Sequence, residues 1–162
     1  MLQKQNLRLT LHPTLQISIH KNSKFKMQNR SFLRNPKLEW EEAEDVRKQA
    51  NQILKVLDLP HIKLSRIFFF RTNGSKSRSY ARIWTFPKIF QKALGVEPAY
   101  VIEVLSKYFD KLNPDEQKKV LIHEFLHIPK NFSGALIPHR GRNRNLGKLA
   151  NFLFEQYMKS KL

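Results

Sequence analysis

The 162-residue sequence contains no cysteine. Disulfide frameworks, cysteine-ligated zinc fingers, iron–sulfur clusters and thiol catalysis are therefore excluded, and a transition-metal site would have to use histidine and carboxylate ligands. The chain also lacks an apolar run of about 18 residues, the length that a membrane-spanning helix needs. Residues 1–30 show no signal-peptide pattern. These absences predict a soluble, intracellular (cytoplasmic) protein with no membrane span.

Acidic residues are scarce, with 13 Asp and Glu against 30 Lys and Arg, which gives a formal net charge of +17. The excess lies in blocks, because residues 1–35 carry seven basic side chains and no acidic one. Such a charge predicts attraction to polyanions such as nucleic acid, or serves solubility alone. With 41% hydrophobic residues, the chain still has enough apolar material to bury a core.

The length predicts one domain with an extension. We interpret residues 1–34 as a mobile basic arm or an extension, and residues 35–162 as the domain. Two short alternating stretches, at 7–11 and 15–19, also permit a hairpin within this arm.

Periodicity and turn residues predict the elements of the domain. Helical spacing of apolar residues predicts a packing helix that begins at Pro36, with Asn35 as its cap, and ends before Pro60. The cap at Asn113, with Pro114 at the first helical position, predicts a helix over 114–127. Strands are predicted at 62–71, 80–86 and 98–105, and further helices at 87–94 and about 146–157. This order predicts an α+β fold.

The most specific motif is the pentad His123-Glu124-Phe125-Leu126-His127. Residues four apart lie on one face of a helix, so both imidazoles point the same way. Glu124, about 100° around the helix from His123, can reach the edge of a metal held by the two histidines, as the general base of a zinc peptidase must. The alternative is a buried or solvated helix that carries two histidines and no metal.

His139 is the best-placed third ligand. Pro129 ends the helix and the turn at Phe132-Ser133-Gly134 lets the chain return past the face that carries the two imidazoles. A catalytic zinc site normally has three protein ligands. The alternative is a surface histidine beside an arginine cluster.

The pentad, on a helix preceded by a small sheet, resembles the zincin metallopeptidases. The run from Leu121 to Pro129, followed by Phe132-Ser133-Gly134 and Pro138-His139, closely resembles the phage-type metallopeptidase family of archaea, bacteria and their viruses. The likeness extends over about 36–162. The metzincin pattern is absent, since Lys130 and Ser133 stand where that pattern has glycine and histidine.

The resemblance implies a minimal zincin-like domain. Its parts would be an N-terminal packing helix, a sheet of three or more strands, an active-site helix and a C-terminal helix. It further implies that His123, His127 and His139 hold Zn²⁺ and that Glu124 is catalytic. The predicted reaction is hydrolysis of a peptide bond of a protein or peptide substrate, with zinc-activated water and Glu124 as general base.

Two further features of the predicted site remain open at this stage. The oxyanion needs a further donor, for which Arg140, Tyr157 and Tyr100 are candidates. Zincins commonly bind substrate as an extra strand, so the resemblance suggests residues 99–105 as the receiving edge. Glu103 in that strand would contact a basic substrate side chain, support the metal from its second shell, or simply be an outward-facing edge charge.

A set of basic residues predicts a second surface, one that binds nucleic acid. Arginine presents a bidentate fork to phosphate, and Trp84 or Tyr80 could stack a base. The set consists of Arg71, Lys76, Arg78, Arg82, Arg140, Arg142 and Arg144.

Two other functions therefore stand beside the peptidase. The first is a basic nucleic-acid-binding protein in which a histidine-ligated metal is structural and no peptide is cut. The second is a folded but inactive family member. An open coordination position favours hydrolysis, whereas a site closed by protein ligands favours the binding protein.

Overall fold

The computed structural model describes residues 37–139 and 145–161. Within them the fold is α+β, as predicted. The proposed arm at 1–34, Asn35, Pro36 and the cluster of Arg140, Arg142 and Arg144 lie outside the described residues. In chain order the elements are β1 (Glu39–Glu42), α1 (Glu44–Val56), β2 (Ile67–Asn73), β3 (Ala81–Thr85), α2 (Lys88–Leu94), β4 (Tyr100–Leu105), α3 (Ser106–Phe109), α4 (Pro114–Leu126) and α5 (Leu146–Lys159).

The four strands form one sheet in the order β1-β2-β4-β3. β2 and β4 are parallel, and the other two pairs are antiparallel. β4 is thus an inner strand, and the expectation that residues 99–105 form the edge was wrong. Hydrophobic alternation identifies a strand but does not give its place in the sheet, which here depends on the crossover through β3 and α2.

The prediction of a helix from Pro36 was wrong at its start. Residues Glu39–Glu42 form β1, in which Trp40 lies opposite Thr72 of β2, and the helix begins only at Glu44. Glutamates are compatible both with the first turn of a helix and with an exposed edge strand, so this stretch was ambiguous in sequence. The apolar spacing is correct for α1 itself, because Val46, Ala50 and Ile53 are buried.

α4 begins where the sequence predicted. The Asn113 side chain accepts hydrogen bonds from the backbone N–H groups of Asp115 (3.1 Å) and Glu116 (2.9 Å), and the Glu116 carboxylate accepts one from the N–H of Asn113 (3.0 Å). This reciprocal cap satisfies N–H groups that the first helical turn cannot pair. The helix ends at Leu126, with His127 as its C-cap.

The core lies between one face of the sheet and the helices. β2 and β4 contribute buried apolar residues to it, and so do α1, α4 and α5; α4 supplies Leu121, Ile122 and Phe125. Because these three residues are at most 1% exposed, α4 is held against the sheet, and its histidine-bearing end has a fixed position. No helix of the described residues is both long and apolar enough to cross a membrane.

Candidate metal centre

Three imidazoles meet at the end of α4. His123 is in the last turn, His127 is the C-cap, and His139 comes from the following loop. The potential ligand atoms of the three residues lie within 4.8 Å of one another. The ring centroids are 5.2 Å apart for His123 and His127, 5.1 Å for His123 and His139, and 4.4 Å for His127 and His139. The structure therefore brings together the three histidines that the sequence singled out.

The loop that carries His139 is attached to the fold by the hydroxyl of Tyr100. This hydroxyl accepts a hydrogen bond from the N–H of Gly134 (2.9 Å) and donates one to the carbonyl of Ala135 (3.0 Å). Gly134 has a φ of 77°, a left-handed conformation in which a β-carbon is unfavourable. The loop thus turns back toward α4, as the spacing of Pro129 and His139 predicted.

A second pair of hydrogen bonds closes the loop onto the helix end. The N–H of Ile137 donates to the carbonyl of His127 (2.8 Å), and Nδ1 of His127 lies 2.6 Å from the carbonyl of Ile137. A carbonyl only accepts, so Nδ1 of His127 carries the proton and Nε2 keeps its lone pair. Metal-binding histidines are commonly oriented in this way.

Burial lowers the pKa of His123, and the neighbouring His127 and His139 lower it further. Burial also lowers the pKa of His127, with a smaller contribution from His139, although the hydrogen bond to Ile137 acts in the opposite direction. Both rings are therefore neutral at pH 7, the form that a metal requires.

Glu124 is 8% exposed and lies at the same end of α4. Burial raises the pKa of its carboxyl group from 4.5 to about 7. This carboxyl can therefore gain or lose a proton near neutral pH.

Two of the three histidines, His127 and His139, line a cleft of about 510 Å³. Glu124, His127 and His139 line one side, and β3 lines the other through residues that include Ala81 and Ile83. β3 is an edge strand.

Among the residues that the structure describes, no strand pairs with the outer edge of β3. Along this edge, the backbone groups of alternate β3 residues are not paired with β4. The N–H of Leu105 donates to the carbonyl of Tyr80 (2.9 Å), so in the antiparallel register the pairs that exchange hydrogen bonds continue at Arg82 and Trp84. The N–H and C=O groups of Ala81, Ile83 and Thr85 consequently point away from β4.

Two of the three candidate oxyanion donors, Tyr100 and Tyr157, are buried. Tyr100 is 1% exposed, and its hydroxyl is already used by the loop, so it does not line the cleft. Tyr157 is also 1% exposed and packs beside Lys118, near the beginning of α4. Arg140 is outside the described residues.

Two of the basic residues predicted to bind nucleic acid, Arg71 and Arg82, are paired with acidic side chains. Arg71 lies 2.8 Å from Asp45 and 3.1 Å from Asp110, and these carboxylates raise its pKa. Arg82 lies 3.4 Å from Glu103. Lys76 and Arg78 are exposed in the connection between β2 and β3.

Sequence reasoning missed the role of Glu103. Its side chain is 5% exposed and accepts hydrogen bonds from Thr72 (2.5 Å), Trp84 (2.6 Å) and Trp40 (3.3 Å), in addition to its contact with Arg82. The one available signal was a glutamate in the middle of an apolar strand, for which the sequence analysis left open a substrate contact, support of the metal or an edge charge. The donors come from the other three strands, and sequence alone does not show this convergence.

A family model described as "putative phage metallopeptidase" matches residues 38–153. No curated protein and no solved structure matches the chain. The matched range includes the three histidines, Glu124 and all four strands.

Proposed function

Because the chain belongs to the phage metallopeptidase family, we propose that it is a zinc-dependent peptidase that hydrolyses peptide bonds at the cluster of His123, His127 and His139. The observation that carries this proposal is the convergence of three imidazoles, two of which line a cleft together with Glu124, opposite a strand whose outer edge is unpaired among the described residues. Each part matches a requirement of metal-assisted hydrolysis.

The donor set fits zinc. Imidazole nitrogen is a preferred ligand of Zn²⁺, and catalytic zinc sites characteristically have three protein ligands. When bound, zinc would polarise the substrate carbonyl and lower the pKa of water to roughly 7. The protonated Nδ1 of His127, held by Ile137, leaves Nε2 as the nitrogen that would bind the metal.

Glu124 is the proposed general base. As water attacks the peptide carbonyl, the Glu124 carboxylate takes up its proton, and it returns that proton to the departing amine when the C–N bond breaks. A carboxyl whose pKa is about 7 suits both steps near neutral pH. Glu124 also lines the cleft in which the peptide is proposed to bind.

The substrate is proposed to bind along β3. The outward N–H and C=O groups of Ala81 and Ile83 can pair with an extended peptide, which would become a fifth strand beside the cleft. This edge replaces residues 99–105, which the sequence analysis proposed for the same purpose.

The experiment that tests the proposal is cleavage of a mixed peptide library by zinc-loaded protein, followed by mass spectrometry. The matched control is Glu124→Gln, brought to the same zinc content. We expect new peptide termini with the wild type and a rate at least about 100-fold lower with the variant. Equal cleavage by both proteins, or no cleavage by the wild type, would contradict the proposal.

The alternative of a nucleic-acid-binding protein with a structural metal is less well supported. Structural zinc sites are usually closed by four protein ligands, whereas within the described part of the chain three histidines form this cluster. Arg71 and Arg82 are also engaged by carboxylates, which reduces what they offer to phosphate.

A further inference from the structure

The face of the sheet opposite α1 and α4 carries large exposed aromatic side chains. Trp40 is 60% exposed, Phe68 is 48% exposed and Trp84 is 51% exposed. By register these three residues share one face with Glu103 and Arg82. We call it the open face.

The ring of Trp84 is fixed on the open face by polar contacts. Its indole N–H donates to Oε2 of Glu103 (2.6 Å), and the guanidinium of Arg82 lies 5.5 Å from the ring centroid. Arg82 also neutralises Glu103, so the surroundings of the ring present an ion pair and not a free charge. Half of an immobilised apolar ring is therefore available for contact.

Trp84 lies where the open face meets the candidate cleft. It lines the cleft that contains Glu124 and His139, and it also lines a groove of about 480 Å³ on the open face. Trp40 lines the groove but not the cleft, because it lies on β1 at the opposite edge of the sheet. Thus only one of these two tryptophans adjoins a peptide bound along β3.

The alternation of strand residues decides which substrate side chain meets Trp84. In a peptide paired with β3, residues opposite Ala81 and Ile83 point toward the helices, and residues opposite Arg82 and Trp84 point toward the open face. The backbone groups of Trp84 point toward β4. In an antiparallel peptide added to the other edge of β3, Trp84 and the substrate residue opposite it therefore form a non-hydrogen-bonded pair. Opposing β-carbons approach most closely in such pairs, at about 4.5–5.5 Å.

We infer that Trp84 is a specificity-determining residue that selects a large apolar side chain, aromatic in the best case, at the substrate position directly opposite it. The inference rests on the proposed peptidase function and on peptide binding along β3. Aromatic pairs across neighbouring strands are favourable. A charged side chain finds no unpaired charge of Glu103 or Arg82 there, since these two residues form an ion pair.

The test measures binding apart from turnover. Labelled peptides with Phe or Ala at each of about eight successive positions, a span set by strand geometry, are titrated into zinc-loaded Glu124→Gln protein and followed by fluorescence anisotropy. The same series is measured with three double variants, in which Glu124→Gln is combined with Trp84→Thr, Trp84→Phe or Trp40→Thr. Threonine is used because it favours a strand but has no ring. Trp40→Thr is the matched control, because the indole N–H of Trp40 also donates a hydrogen bond to Glu103.

We expect one position at which Phe binds about tenfold or more tightly than Ala, a discrimination typical of an apolar subsite. Trp84→Thr should abolish that preference, whereas Trp84→Phe and Trp40→Thr should keep it. The inference is overturned if no position prefers Phe, if Trp84→Thr retains the preference, or if Trp40→Thr loses it equally. Failure of the wild type to cleave any peptide would instead overturn the proposed function, and the inference with it.

Discussion

His127 has a single ring nitrogen left for a metal, because the other donates to Ile137. Zinc binding at this cluster therefore also depends on the imidazoles of His123 and His139. His139 is therefore a direct test of the cluster, since it reaches the other two histidines only through the folded loop.

We predict that His139→Ala lowers zinc affinity by about 100-fold or more, beyond the usual effect of losing a supporting residue. The matched control is His61→Ala, which removes a histidine outside the cluster. Competition titration against a chelator measures both variants. Equal zinc affinities in wild type and His139→Ala would show that His139 is not a ligand.

Tyr100→Phe should weaken the site without touching a ligand. The variant leaves the N–H of Gly134 without its acceptor, which should lower the free energy of unfolding by about 1–3 kcal/mol. It should also reduce zinc affinity by about tenfold, because the loop that carries His139 loses its attachment. Tyr80→Phe is the control, as Tyr80 is 47% exposed. An unchanged zinc affinity in Tyr100→Phe would contradict the positioning role.

The raised pKa of Glu124 predicts a pH-dependent stability in the metal-free protein. Between its ordinary pKa of 4.5 and the folded value of about 7, the folded state binds the proton more tightly than the unfolded chain does. Stability contributed by this group is therefore present below about pH 4.5 and is lost as the pH rises through about 7.

Glu124→Gln removes this titration, so its stability relative to wild type should increase by up to about 3 kcal/mol between about pH 5 and about pH 8. Urea unfolding in the presence of a chelator measures the difference. If the difference in free energy of unfolding between the two proteins does not change with pH, the carboxyl group is not held in an apolar environment. The three histidines of the cluster are present in both proteins, so they affect the comparison little.

Much of the site's residue composition could be predicted from sequence, and the reason is local. His123, Glu124 and His127 are adjacent in the chain on a helix with its own cap. Helix geometry therefore places them on neighbouring faces without knowledge of the rest of the fold. The roles of Tyr100 and Glu103 could not be predicted, because they depend on contacts with distant segments.

At the scale of elements, β3 is the part most specific to the proposed substrate binding. Ile83→Pro and Ile83→Ala both remove a partly buried side chain, but only proline also removes the N–H that faces the cleft. We predict similar losses of thermal stability in the two variants, since neither breaks a hydrogen bond to β4. Peptide binding and cleavage should fall at least about fivefold more in Ile83→Pro, as expected for the loss of one hydrogen bond. Equal cleavage by the two variants would exclude docking along this edge.

The sequence predicted an element correctly where capping and turn residues mark both of its ends. It failed where pairing between strands determines the structure. α4 has a cap, a proline at its first position and a following Pro129, and it lies where the sequence placed it. β1 has only four residues, and they became a strand because β2 pairs with them. The parallel pairing of β2 with β4 likewise depends on the path of the chain between them.

At the scale of the whole molecule, a large part of the positive charge lies in a stretch of the sequence that does not include the candidate site. Seven basic residues lie in residues 1–35, with no acid among them, and this region precedes the family match. We predict that a variant lacking residues 1–34 keeps its zinc stoichiometry and its Glu124-dependent cleavage. Its affinity for duplex DNA should fall, and the slope of log affinity against log salt should decrease by up to about six. Loss of zinc would contradict the proposed domain boundary, and DNA affinity independent of salt in the full chain would remove the nucleic-acid prediction.

The chain contains two tryptophans, and both donate their indole N–H to the same carboxylate, that of Glu103. The tryptophan emission of the protein therefore originates entirely from this one surface. A molecule that covers Trp84 would change its spectrum and shield it from a soluble quencher, with no label attached. Replacing one tryptophan at a time would separate the emission of Trp40 on β1 from that of Trp84 on β3. The fluorescence of Trp84 could then report directly on binding beside the cleft.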